Sequence, residues 1–573
     1  MRYFTPLNKG EKILMQMAGE ELKTLTMDHH GLVAATCKDL GIAERINQRI
    51  GKMDERRRVS TGKSVIAMIL NGLGFTNRRL YLTHQFFATK PVDRLLDEDI
   101  VASDITDSTL GHALDEIASY GSSKLFAEIA FEIAIENNLL GNLNHLDTTS
   151  ISVHGEYDVK EEPAVIELRH GHSKDHRPDL KQAVLSLVVN GPSAIPLFME
   201  PLNGNNSDNN SFHETIKKVN ACKKEIDLDK NFKWVADSAL YSEDKLLKQN
   251  DYLWLTRVPE TLKEAKNLTT KPEEDIEWND LGSGYKVSAF ISHYGGMEQR
   301  WLLVYSAQAY LREKKTLESK LKKKDSELEK ILWHLGNEIF DCEKDARTAL
   351  KKVEAKYGLY VIKGEIVPIM KYAQKGKPKA GEKKIITGFK IECRRERNEA
   401  EVNKLLNSKG RFILATNDMD AKNFSDQQML SDYKAQQNVE SGFRFLKDPW
   451  FMLDSIFLQS PKRIEALMMV MTLCLMVYNI AQYKLRQALA IKNETLPNQL
   501  DKEVKNPTMR WVFQIMEGIS IVQFYQDNFV KPIKEVMTNL TAIRKKIIVL
   551  FGETACRMYG LLIQKNMTEI LGM

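Results

Sequence analysis

The sequence predicts an α/β protein in which a strand-rich core is interrupted by a long insertion and flanked by helical segments. Three observations carry this expectation. The stretch NLNHLDTTSISVH alternates with a period of two at Leu143, His145, Asp147, Thr149, Ile151 and Val153, and it is rich in β-branched residues. Strand-length and helix-length apolar segments then follow one another as far as Arg257. Beyond them, residues 311–356 form a strongly charged stretch in which Leu317, Leu321, Leu328, Leu332, Leu335 and Ile339 recur at the spacing of a helical seam.

Residues 1–140 read as mostly helical. An apolar segment at 64–73 is closed by Gly72 and Gly74, and Asp107 or Ser108 is placed to cap a helix through Leu110, Leu114 and Ile117. Residues 126–138 suit a further buried helix. Arg56, Arg57 and Arg58 precede this region, and Arg78 and Arg79 follow its first helix. Arginines at the ends of short helices suit phosphate contacts, as in helix-turn-helix modules. Taken alone, a solvated charged surface is the simpler account. The tripeptide Gly62-Lys63-Ser64 is no P-loop, because Arg57 stands where the motif needs a glycine and no strand leads in.

The core starts at the 143–153 strand. Asp147 lies in its middle, and aspartate is a poor strand former, so an edge position or a turn competes there with a metal ligand. In ELRHGHSKDHRPDLKQ, the histidines His170, His172 and His176 lack a fourth zinc ligand, whereas Lys174, Arg177 and Lys181 suit a polar hairpin facing a phosphate backbone. Strands at 183–189 and 195–201 flank the turn Asn190-Gly191-Pro192. A helix at 212–226, a strand at 232–236 ending on Asp237, a helix at 242–249 and a strand at 252–257 complete the order β-β-β-α-β-α-β. Ligands collect at the carboxyl ends of strands in such sheets. Asp147 and Asp237 on neighbouring strands can therefore converge on one divalent cation despite their separation in sequence.

The insertion runs over 259–409. It contains a hairpin signal around Gly295-Gly296, the leucine-rich helical arm, and short strand-like runs at 358–390. Lys322, Lys323 and Lys324 read as the arm's solvated face. RFILAT at 411–416 resumes the sheet texture. SDYKAQQNVESGFRFLK follows, an amphipathic helix in which Tyr433, Gln436, Glu440 and Lys447 fall near multiples of 3.6 residues and share one face. Alone, Glu440 and Lys447 would be a surface ion pair.

Composition excludes several classes. A chain of 573 residues, 43% hydrophobic and 28% charged, suits a globular protein of more than one domain. Its net charge of +5 permits a nucleic-acid partner without demanding one. Six scattered cysteines without zinc-ligand spacing indicate a reducing compartment. The first sixteen residues, MRYFTPLNKGEKILMQ, lack a secretory apolar core. The apolar run at 466–481 is shorter than a bilayer span and is expected as a buried helix.

Asp147, Asp237 and Glu440, on a strand, a strand end and a helix, together resemble the DDE triad of insertion-sequence transposases. The resemblance is to the group with an insertion between the second Asp and the Glu, marked by a Tyr-x2-Arg-x3-Glu-x6-Lys helix. Tyr433, Glu440 and Lys447 match it, while Gln436 replaces the Arg, with Lys434 or Arg444 as substitutes for the lost phosphate contact. The blocks SKDHRPDLKQ, WVADSALYS and WLTRVP are similar to the same group. The resemblance implies an RNase H-like catalytic core, a mixed sheet flanked by helices, in two parts at 141–258 and 410–482. It also implies the inserted strand-plus-helical-arm subdomain, a helical N-terminal DNA-binding region at 1–140, and a helical C-terminal region at 483–573. Asp147, Asp237 and Glu440 would hold two Mg²⁺ ions, or Mn²⁺ as a substitute, because hard carboxylates leave positions open for water and phosphate. Lys447 and Tyr433 would hold the DNA backbone. The implied function is cut-and-paste movement of a DNA element, acting on double-stranded element ends and target DNA as a homodimer in a prokaryotic cytoplasm, without a membrane. A nuclease that only cleaves and a domesticated DNA-binding copy are the alternatives.

Overall fold

The computed structural model describes residues 20–51, 57–75, 80–157, 166–206, 208–246, 252–373, 383–448, 458, 460–526 and 532–561. Two compact units emerge, one made of Met1–Leu240 with Lys434–Met573 and the other of Tyr241–Tyr433. The first unit opens with strand β1 (Glu20–Thr26) and helices α1 (Thr61–Gly72), α2 (Asp107–Tyr120) and α3 (Ser122–Glu136). Strands β2 (Leu143–Val153), β3 (Lys181–Asn190) and β4 (Ile195–Leu202) follow, then α4 (Asp208–Glu225) and β5 (Lys233–Ala236). The second unit holds β6 (Leu253–Arg257), β7 (Asn279–Gly282), β8 (Tyr285–Ser292), β9 (Gln299–Ser306), α5 (Ala307–Asn337) and α6 (Glu343–Lys356). It continues with β10 (Tyr360–Lys371), β11 (Ile385–Arg397) and β12 (Arg411–Thr416). Helix α7 (Asp426–Lys434) ends at the boundary. The first unit then resumes with α8 (Gln437–Leu446), α9 (Pro461–Ile491), β13 (Ser520–Gln526), β14 (Lys534–Thr538) and α10 (Ala542–Leu550).

In the first unit the strands run in the order β4-β3-β2-β5. β3 is antiparallel to both neighbours, with Asp147 opposite Leu187, and β5 is parallel to β2, with His145 opposite Val235. β3 is buried along almost its whole length, as a strand covered on both faces must be. On one face, Thr215 of α4 lies 3.2 Å from Ser186. The adjacent Leu187 points the other way, toward Gly442 of α8, and α9 closes the stack through Leu475. The stack is a mixed sheet flanked by helices, the architecture expected from the sequence.

Helix α9 is long and apolar enough to cross a membrane by length and composition, but 89% of its apolar window is buried within the protein. It is the central helix of this core. Arg463 anchors it to α2 through Asp115 at 2.8 Å, and Asn479 donates to the Ala194 carbonyl at 2.7 Å.

Both terminal regions differ from the helical expectation. β1 pairs antiparallel with β13, and β13 with β14, so chain segments from either side of the core share one three-stranded sheet. The β-branched and aromatic sequence SIVQFYQ favours a strand once a partner exists, and that partner lies at the far end of the chain. Within the region 483–573 expected to be helical, β14 also precedes α10. α2 is capped by Thr106, whose hydroxyl accepts from the Thr109 N–H at 3.1 Å, rather than by Asp107 or Ser108.

The second unit carries an antiparallel sheet in the order β6-β12-β9-β8-β7, including the hairpin expected at Gly295-Gly296. The helical arm is α5 and α6 packed on a β10–β11 ribbon. Leu328 and Leu335 of α5 meet Ala346 and Leu350 of α6 and Ile362 and Ile391 of the ribbon in one core. The ribbon replaces the short broken strands expected at 358–390, and Lys322, Lys323 and Lys324 are exposed, as a solvated face requires.

Candidate active site

The β2–β5 pairing runs the segments that carry Asp147 and Asp237 side by side. The register matches Leu143 with Lys233, Asn144 with Trp234 and His145 with Val235. Asp147 and Asp237 each follow the last matched pair by two residues. β5 stops at Ala236, and Asp237 turns the chain: its Oδ1 accepts from the Ala239 N–H at 2.9 Å, opening a single 3₁₀ turn at Ser238–Leu240. Asp147 Oδ1 accepts from the Thr148 N–H at 2.7 Å. Both aspartates are half-buried.

Glu440 reaches the same strand on α8. The expected single helix through 431–447 breaks at Ala435–Gln436, where Asn438 N–H bonds back to Ala435 and Val439 N–H to Gln436. Tyr433 thus ends up in the second unit, its ring against Phe412, while Gln436, Glu440 and Lys447 stay in the first. Gln436 Nε2 donates to the Leu146 carbonyl at 3.1 Å, and His145 Nδ1 lies 3.1 Å from Gln436 Oε1. At the other end of α8, Lys447 Nζ is 2.6 Å from Asp175 Oδ1. Asp175 follows Lys174, whose N–H donates to Ser150 Oγ at 2.9 Å. The helix is thus tied at both ends to successive parts of β2, one tie beside His145 and Leu146, the other near Ser150. Glu440 follows one turn past Gln436 on the same face of the helix. Val439, Gly442, Phe443 and Leu446 are buried beneath it, and Glu440 itself is exposed.

The surrounding charge is arranged by the protein. Lys174 Nζ donates to the Thr148 carbonyl at 2.7 Å and stands 3.8 Å from Asp147 Oδ1. Ser150, His154, Asp175, Arg177, Leu180 and Lys447 line a cleft of about 170 Å³ next to it. Burial pushes the His145 imidazole down to about 4 against the raising effect of its Gln436 bond, so the ring is neutral at neutral pH. Among the described residues, no three His, Cys, Asp or Glu side chains converge on one point that could hold an ion. Carboxylates such as Asp147, Asp237 and Glu440 are the donor type that suits a hard divalent cation.

Other candidates sit elsewhere or are engaged. The amide of Gln436, placed by resemblance among the DNA-facing positions, is bonded within the core. Arg177 pairs with Asp179, holding that carboxyl down at about 2, and Lys181 donates to the Glu156 carbonyl. Arg444 is exposed in the last turn of α8. Arg57 pairs with Glu116 of α2, and Arg58 is 3.6 Å from Asp104. Arg56, Arg78 and Arg79 lie outside the described residues. Sequence reading missed His145 and Asp175. A histidine two residues before the strand aspartate, on the same face of β2, was the available signal for the first.

Comparison with known proteins adds the following. Residues 22–131 match a domain of unknown function (DUF4277). A piggyBac transposase synaptic complex with hairpin DNA is similar at 10% identity, over 87% of this chain and 82% of that one, with a TM-score of 0.35. A Mos1 transposase paired-end complex with the left transposon end is similar at 12% identity, over 36% of this chain and 61% of that one, with a TM-score of 0.14. No curated protein matches. The Transposase DDE domain family matches residues 144–479, more than half of the chain and all of the span from β2 to α9 that holds Asp147, Asp237 and Glu440, and the protein belongs to that family.

Proposed function

We propose that the protein is a DNA transposase that binds the terminal inverted repeats of a mobile element and carries out metal-dependent strand cleavage and strand transfer. What supports this reading is the parallel β2–β5 pairing, which runs the segments carrying Asp147 and Asp237 side by side, together with the Gln436–Leu146 bond that ties the helix of Glu440 to β2. Asp147 would be the shared ligand of two Mg²⁺ ions, with Mn²⁺ as a substitute, and Asp237 and Glu440 would each complete one site. When bound, the ions supply an activated water or DNA 3′-OH and neutralise charge on the leaving oxygen. The side chains would hold and orient them, and Lys174 beside Asp147 and Lys447 beside Asp175 set positive charge where a DNA backbone would pass. Action as a homodimer on paired ends, in a prokaryotic cytoplasm, belongs to the same reading.

Cleavage without strand transfer is the competing function. Linear DNA carrying the repeats that flank the gene, incubated with a target plasmid and Mg²⁺, separates the two. Joined element–target products are expected, and their loss in EDTA. Cleaved ends that never join would reduce the protein to a nuclease.

A further inference from the structure

We infer that Gln436 is a positioning residue, clamping the start of α8 to β2 and so setting the reach of Glu440 toward Asp147. This rests on the catalytic reading above, and it assigns to Gln436 a task other than touching DNA.

Gln436 is the residue at which the chain re-enters helix after the break at Ala435–Gln436, and its side chain makes no capping bond to α8. It is turned to the sheet instead. Nε2 donates to the Leu146 carbonyl at 3.1 Å, which leaves Oε1 to accept from His145 Nδ1–H at 3.1 Å. The two residues it grips are those immediately before Asp147. His145 is only 2% exposed and stands in register between Val189 and Val235, so its end of the clamp cannot drift. Glu440 lies one helical turn beyond Gln436 on the same face. With the helix interrupted behind it, α8 gets its anchorage at this end from the sheet, and an amide suits the task because it donates at one atom and accepts at the other. A carboxylate could only accept and a guanidinium only donate.

The test uses the full-length protein and linear DNA carrying the element ends, with cleavage followed against Mg²⁺ concentration and again with Mn²⁺. For Gln436→Ala we expect cleavage at limiting Mg²⁺ to fall roughly 10- to 100-fold, the loss usual for groups that orient metal ligands, and to recover in part at high Mg²⁺ or in Mn²⁺. End binding measured in EDTA should keep its affinity and salt slope. Gln436→Glu keeps the volume and the His145 acceptor but loses the Leu146 bond. It should show the same metal phenotype, and it serves if the alanine variant melts early. Wild-type metal dependence in both variants overturns the inference, as does weaker end binding with a shallower salt slope, the mark of a phosphate contact. Glu440→Ala is the reference. If it is inactive while the Gln436 variants behave as wild type, the clamp alone fails. If it cleaves at the wild-type rate, the catalytic reading fails and takes the clamp with it.

Discussion

Lys447 and Asp175 pair at 2.6 Å with side chains 25% and 34% exposed, a setting in which an ion pair contributes only about 0–1 kcal/mol. The lysine can therefore exchange its partner for a phosphate at little cost. Lys447→Ala should weaken binding to element ends and make the salt dependence shallower by about one unit of slope, read from affinities at several salt concentrations. Asp175→Asn should do the opposite, tightening binding by freeing the ammonium, and unchanged affinity in both variants would remove Lys447 from the DNA path. Asp147 was legible in the sequence because a carboxylate inside an alternating β-branched run is out of place. Gln436 was not legible in its actual role, because its partner His145 lies 291 positions away and a polar residue on an amphipathic helix reads as solvent-facing.

Helix α8 packs closely because Gly442 presents no side chain. A Cβ built there would lie 3.1 Å from Leu475 Cδ2 on α9, so even alanine forces the leucine to yield. Leu475→Ala should cost about 2–5 kcal/mol in chemical denaturation, as buried leucine truncations do. Gly442→Ala should be markedly less harmful in that background than in the wild type, the coupling expected of two residues sharing one space. Strict additivity would mean that α8 does not rest on Leu475. The helix itself was anticipated from its amphipathic spacing, whereas the break at Ala435–Gln436 was not. No proline or glycine marks it, and it falls at the boundary of the two units, a feature of tertiary structure that local sequence does not record.

Stability of the molecule should depend on pH through Glu465 on α9. Desolvation pushes this carboxyl from 4.5 up to about 7, with the neighbouring Glu200 acting in the same direction. Between those values the folded protein keeps a proton that the unfolded chain has released. Stability therefore falls as pH rises through the window, by at most about 3 kcal/mol. Thermal melting between pH 5 and 8 should show the decline, and Glu465→Gln should flatten it; an unaltered profile would exclude Glu465 as its source. At this scale the succession of strands along the chain from β2 to β6 could be read from the sequence, because each is a short apolar run bounded by turn residues, whereas the β2–β5 pairing skips two strands and could not. The β1–β13 pairing could not, since its two halves are separated by most of the chain and β1 alone is a short amphipathic segment.

Asp147, Asp237 and Glu440 are proposed to form one metal-dependent catalytic centre. Cleavage of linear DNA carrying the element ends, compared for the wild type, Asp147→Ala, Asp237→Ala and Glu440→Ala in Mg²⁺, Mn²⁺ and EDTA, tests it most directly. Wild-type cleavage with either metal, none in EDTA, and loss of cleavage in all three variants with end binding retained is the predicted result. Wild-type cleavage by any one of the three variants with metal present would contradict the assignment.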